Sequence, residues 1–86
     1  MAELTVSVVS ADAEVWTGAA RQVVARTTEG EIGILAGHEP ILAVLAAGEV
    51  RVLTPEGTTV TATADDGFLS VEHDRVTVVA RNAQLA

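Results

Sequence analysis

A chain of 86 residues with 12 acidic and 5 basic side chains has room for one domain, spanning residues 1–86, and carries a formal net charge of −7. That balance argues against a nucleic-acid backbone or an anionic lipid surface as the main partner, because both are gripped by clustered Lys and Arg. Every basic residue is an arginine (Arg21, Arg26, Arg51, Arg75, Arg81) and cysteine is absent, which excludes Schiff-base chemistry, lysine-linked cofactors, disulfides and thiolate metal sites.

The first residues, Met1-Ala2-Glu3-Leu4, have neither the basic stretch nor the apolar core of a secretion signal, which points to a soluble cytoplasmic protein. Leu4 to Val9 alternates apolar and polar, the pattern of a half-buried strand. Ala11-Asp12-Ala13 turns the chain into Glu14–Gly18, and Arg21 to Thr27 is a β-branched run around Val23 and Val24. Thr28 to Pro40 is expected to be a shaped loop: Gly30, Gly33, Gly37 and Pro40 surround Ile32, Ile34 and Leu35, and Glu29, Glu31 and Glu39 interrupt them. Glycine in such places marks a backbone geometry or a close approach that a Cβ would forbid. Ile41 to Ala47 is the longest apolar run, far below the roughly 20 residues that span a bilayer; it reads equally as a buried strand or a helical turn.

Val50 to Leu53 is a strand and Thr54-Pro55-Glu56-Gly57 suits a type I turn, with Pro second and Gly fourth. Thr58 to Ala64 alternates cleanly, with Val60, Ala62 and Ala64 on one face and Thr59, Thr61 and Thr63 on the other. Asp65-Asp66-Gly67 is expected to break that strand. Phe68 to Val71 and Arg75 to Val79 then pair across the tight turn Glu72-His73-Asp74. Ala80 to Ala86 loses the alternation and reads as the start of a helical segment. Hydrophobic residues make up 49% of the chain but aromatic ones 2%, so Val, Ala, Leu and Ile must build a thin core, with Trp16 and Phe68 as core fillers. The sum is an all-β fold, a small flattened β-sandwich or barrel of two packed, mostly antiparallel sheets with about 8–10 short strands.

Chemistry is scarce along this chain. No GxGxxG or GK[ST] accompanies the glycines around Glu31, so they form no phosphate cradle. Glu31, His38 and Glu39 match no helix-borne zinc pattern, and no third ligand lies nearby. Asp65 and Asp66 are neighbours, which in a strand point to opposite faces and do not converge. His73 belongs to an exposed turn, and Ser10 and Ser70 lack a GxSxG context. No catalytic residue, cofactor site or metal site is assigned. A loop that docks on a partner is the expectation for Thr28–Pro40, with a carbohydrate-type binding module as the alternative. The scarcity of aromatics disfavours that alternative, since such modules display stacking rings. A small hydrolase using Asp65, Asp66 or Glu31 with His38 is weaker still.

With these residues laid out, the chain resembles the N-terminal β-sandwich domain of the epsilon subunit of F-type ATP synthases, called delta in mitochondria. The resemblance runs through LTVSVVSADAEVWTG, TEGEIGILAGHEPILAVLAAGEVRV and GFLSVEHDRVTVVA, in the family's order and spacing, and the EGEIGI stretch followed by GHEP is its most specific part. Ala36 stands where a proline commonly precedes the Gly-His pair, and Asp66 stands where a glycine usually precedes Gly67. Family members typically continue into a C-terminal helical hairpin, and the resemblance implies that a chain ending at Ala86 lacks it.

That resemblance implies a non-catalytic rotor subunit without a cofactor, one copy per complex, on the cytoplasmic side of the bacterial membrane. Its implied partners are the gamma subunit and the ring of c subunits, so that proton flow is coupled to rotation and ATP synthesis on other subunits. Carried over by position, Glu31, Ile32 and Gly33 fall on the loop that faces the c ring. Gly37 and His38 fall near the junction of gamma and ring. A carboxylate on a Gly-shaped turn suits charge-assisted contact with basic ring loops, while the larger share of affinity is expected from an apolar sheet face or edge on gamma.

Overall fold

The computed structural model describes residues 3–86, and the reading of Met1 and Ala2 as free of a secretion signal lies outside them. Valine and threonine at alternating positions produce strands, and there are seven among the described residues. They are β1 (Leu4–Ser10), β2 (Glu14–Ala20), β3 (Gln22–Thr27), β4 (Gly30–Leu35), β5 (Ile41–Leu53), β6 (Thr59–Glu72) and β7 (Arg75–Leu85). All join one sheet of order β2-β1-β7-β6-β5-β3-β4, antiparallel throughout except for the parallel pair β1–β7.

The expected all-β sandwich of two packed, mostly antiparallel layers holds, built from seven strands rather than about 8–10 and with both layers drawn from one continuous sheet. Strands β5, β6 and β7 are 13, 14 and 11 residues long and serve both layers of the sandwich. The first half of β7 pairs with β1, which carries β2 at the edge of one layer, and the second half of β5 pairs with β3, which carries β4 at the edge of the other, while β6 lies between β5 and β7 along both.

The bend between layers leaves a mark in the burial pattern. In β6 the core-facing residues are Ala62 and Ala64 before the bend, then Leu69 and Val71 after it. Side chains alternate with a period of two, so even-numbered residues cannot give way to odd ones in a straight strand. Asp66 makes the change, with φ at 60°. β5 switches likewise, from Leu45 to Val50 and Val52, and so does β7, from Val76, Val78 and Ala80 to the half-buried Ala83.

Gly67 sits where β6 and β7 press together. A Cβ on it would lie 2.5 Å from the Ala80 Cα and closer still to the Val79 carbonyl oxygen. Hence Asp65-Asp66-Gly67 is a bend inside a continuous ladder rather than a strand break, and Ala80–Leu85 is the end of β7 rather than the start of a helix. Ile41–Ala47 is strand.

The core is aliphatic, with Leu4, Val6, Val8, Val23, Ile34, Val50, Val52, Leu69, Val71, Val76 and Val78 all but sealed from solvent. Trp16 contributes as a partly buried cover on the β2 edge, its indole lying over Gly18. Phe68 is not the core filler expected of it; it is 42% exposed. Once Leu69 and Val71 face inward, Phe68 must face outward.

Candidate protein-docking site

The layer formed by β2, β1 and the nearer halves of β7, β6 and β5 turns an outer face to solvent. Its register can be read across the sheet. One row runs Leu42, Ser70, Thr77, Ser7, Thr17, and the next runs Val44, Phe68, Val79, Val9. From β5 to β1 neither row holds a charged side chain, although 20% of the chain is charged. Charge returns with Glu14, the β2 partner of Val9, and with Glu72 and Arg75 in the row beyond Ser70 and Thr77. Leu42 is 73% exposed and Val44 60%, and they stand beside Phe68 at one corner of the face. Hydroxyl groups fill the middle, where Ser7 and Thr17 lie 3.4 Å apart and Thr17 Oγ1 donates to the Val6 carbonyl at 3.1 Å. Covering such a corner would return about 1.5–3 kcal/mol per large apolar side chain, less whatever is already shielded. The outer face of the second layer differs: Glu31, Arg26, Arg51 and Glu49 populate it.

The residues expected to dock lie along the flank between β4 and β5. Glu31, Ile32 and Gly33 are on strand β4, not in a loop, and only residues 36–40 connect β4 to β5. β4 is an open edge of the sheet. Between it and the first residues of β5 runs a groove of roughly 470 Å³ lined by Glu29, Glu31, Ile32, Ile41, Leu42 and Val44, among others. The N–H of Thr28 closes one end by donating to the Val44 carbonyl at 3.0 Å.

Glu31 is exposed, and its carboxylate accepts from Arg51 at 3.1 Å across two strands. With both side chains open to water this pair contributes about 0.2–1 kcal/mol at most, so a cationic partner can displace Arg51 at little cost.

Gly37 and His38 sit beyond the other end of β4. Gly37 has φ of 86° inside a turn closed by the His38 N–H donating to the Leu35 carbonyl at 3.1 Å. His38 is half-buried, its Nδ1 2.8 Å from the Glu39 carbonyl oxygen. Four residue-to-residue steps of extended strand lead from Glu31 to Leu35, about 13 Å at roughly 3.3 Å per residue, so the expected residues form two stations on one flank rather than one cluster. Among the described residues no group of His, Cys, Asp and Glu is arranged to hold a metal ion.

Sequence reasoning missed the uncharged rows of this outer face. Its signal was present in Leu42 and Val44, which alternate with Ile41, Ala43 and Leu45 in a strand apolar on both sides. Apolar residues on both sides are the pattern of a strand covered on both faces, and here one of those faces is open.

Residues 3–86 match the family model described as the beta-sandwich domain of the ATP synthase delta/epsilon chain. This chain belongs to that family. It is 59% identical over 85 residues to the ATP synthase epsilon chain of Micrococcus luteus, covering 99% of this chain and 93% of that one. Against the epsilon chain of Streptomyces griseus the identity is 49%, covering 99% of this chain and 68% of the other. Among solved structures, a chain in the Euglena gracilis mitochondrial ATP synthase assembly of OSCP, F1 and c-ring superposes with a TM-score of 0.92 at 26% identity, over 99% of this chain and 54% of that one. A chain of the Tetrahymena thermophila central stalk and c-ring superposes at 0.77 with 14% identity, over 95% of this chain and 66% of that one, which is likeness of fold.

Proposed function

We propose that this chain is a non-catalytic subunit of the central stalk of an F-type ATP synthase, the uncharged central rows of its outer face held against gamma and its β4–β5 flank turned toward the c ring. The family match and the epsilon-chain relatives support the rotor-stalk role and leave catalysis to other subunits. The observation that carries the docking reading is the pair of rows that run without charge from β5 to β1 in a chain of net charge −7. The centre of a protein interface is depleted of charge and enriched in apolar and aromatic side chains, which matches Leu42, Val44, Phe68 and Val79.

Glu31, Ile32 and Gly33 occupy the open β4 edge and serve the c-ring contact, with Glu31 exchanging Arg51 for a basic ring residue. Gly37 and His38 serve the junction of gamma and ring. In this reading the chain works as one β-sandwich unit, a single copy per complex on the cytoplasmic side of the bacterial membrane. It transmits torque by being a rigid body that both partners grip.

A carbohydrate platform gains one exposed ring in Phe68, but that ring is flanked by Val44 and Val79 in the sheet register rather than by polar groups that would read sugar hydroxyls. Co-expression with the gamma subunit of the same organism tests the reading. A stable stoichiometric complex is expected, and two proteins that purify apart would overturn it.

A further inference from the structure

Asp74 holds three parts of the molecule at once. It is the second residue of the His73-Asp74 turn between β6 and β7, where both residues have positive φ, 50° and 60°. Two-residue hairpin loops of this kind are primed turns, and Asp and Asn are among the few residues besides glycine that enter them readily. The Asp74 main-chain carbonyl accepts from the Thr5 N–H at 2.8 Å, fixing the hairpin to the start of β1. Its side chain reaches the other way: Oδ1 accepts from the Gly37 N–H at 2.7 Å.

Residues 36–40 otherwise hold themselves only locally. The His38 N–H bonds to the Leu35 carbonyl, and the His38 ring bonds to Glu39. Among the described residues the Asp74 carboxylate makes the one hydrogen bond that ties this loop to a distant part of the chain, 37 positions away in sequence. A short bond from an N–H to a carboxylate is charge-assisted and directional. It fixes the Ala36–Gly37 peptide, in a turn where Gly37 has the conformational freedom to choose other orientations.

We propose that Asp74 is the positioning residue of the docking loop, its carboxylate setting the orientation in which Gly37 and His38 meet the partner. This rests on the docking reading given above. The two bonds of Asp74 separate cleanly: the carbonyl serves the fold, and the carboxylate serves the loop. Asp74→Gly keeps the positive φ and the carbonyl but deletes the acceptor. Asp74→Asn keeps the backbone preference and leaves a neutral amide oxygen in the acceptor's place.

The test uses the full chain and two readouts, amide hydrogen exchange at Gly37 and Thr5 in the free protein and affinity for the gamma subunit. For Asp74→Gly, exchange at Gly37 is expected to rise about tenfold or more and gamma binding to weaken about tenfold, with Thr5 exchange unchanged. For Asp74→Asn, both are expected to stay within about threefold of the wild-type chain. Faster Gly37 exchange with undiminished gamma binding would overturn the assignment, as would equal losses in the two variants. Acceleration at Thr5 alongside Gly37 would also overturn it, because the residue would then be a staple of the whole fold. A wild-type chain that fails to bind gamma refutes the docking reading itself and this assignment with it. Failure of this assignment alone appears only in the variants.

Discussion

Replacing Gly67 with alanine probes the bend by which one sheet becomes two layers. The added Cβ would lie 2.5 Å from the Ala80 Cα and closer to the Val79 carbonyl oxygen, so the nearest atoms belong to backbone with no flexible end to move aside. Carbon atoms rest at about 3.5–4.0 Å, so β7 would have to retreat by roughly 1 Å or more. That retreat would strain the neighbouring ladder pairs Asp65–Asn82 and Phe68–Val79. Overpacking of this kind costs about 1–3 kcal/mol and more where the neighbour is rigid, so we expect at least about 2 kcal/mol here. For a domain of this size each kcal/mol lowers Tm by roughly 4–8 °C, giving a fall of about 8 °C or more. Gly33→Ala is the matched control. Its added carbon would meet only the Gln22 side-chain nitrogen at 3.6 Å, and the melting point should hold within a few degrees. Thermal unfolding followed by circular dichroism reads both. A Gly67→Ala protein that melts with the wild type would refute the account of the bend.

Gly18→Ala should push the Trp16 indole off the strand, because the new Cβ would lie 2.9 Å from the ring. Trp16 is the only tryptophan, so a red-shifted emission maximum reports this directly, and unchanged emission contradicts the packing. Glu31→Arg should leave stability within about 0.5 kcal/mol, since it removes an exposed ion pair, yet weaken assembly with the c ring. A large loss of Tm in that variant would instead make Glu31 structural.

The parts of the fold that were legible in the sequence are those where alternation runs unbroken. Leu4–Val9, Thr58–Ala64 and the Phe68–Val79 hairpin read directly because one face is buried and the other is not. The bend was opaque for the same reason. A change from Ala62 and Ala64 to Leu69 and Val71 looks like the end of one strand and the start of another, since the residue that reconciles them, Asp66 at φ 60°, carries no signature beyond being turn-like. Ala80–Leu85 failed to read as strand because β7 switches faces at the same level and its last residues are largely exposed. Phe68 was misread as core by its aromatic character alone.

For the site, resemblance led to Glu31 and His38, but adjacency in sequence suggested one loop where strand β4 spaces them along a flank. The uncharged rows of the outer face are assembled from β1, β5, β6 and β7, and only the register brings them together. The Asp74–Gly37 bond is likewise invisible without the fold, because it joins a hairpin tip to a distant loop.

The most direct measurement compares the gamma affinity of Leu42→Glu with that of Leu35→Glu. Both leucines are well exposed, at 73% and 57%, so neither change should unfold the chain. Leu42 stands at the apolar corner of the outer face beside Val44 and Phe68, and Leu35 stands at the end of β4 on the charged layer. The account predicts at least about tenfold weaker binding for Leu42→Glu, from burying an unpaired charge in the interface, and near wild-type binding for Leu35→Glu. Equal affinities for the two variants, or a loss confined to Leu35→Glu, would contradict it.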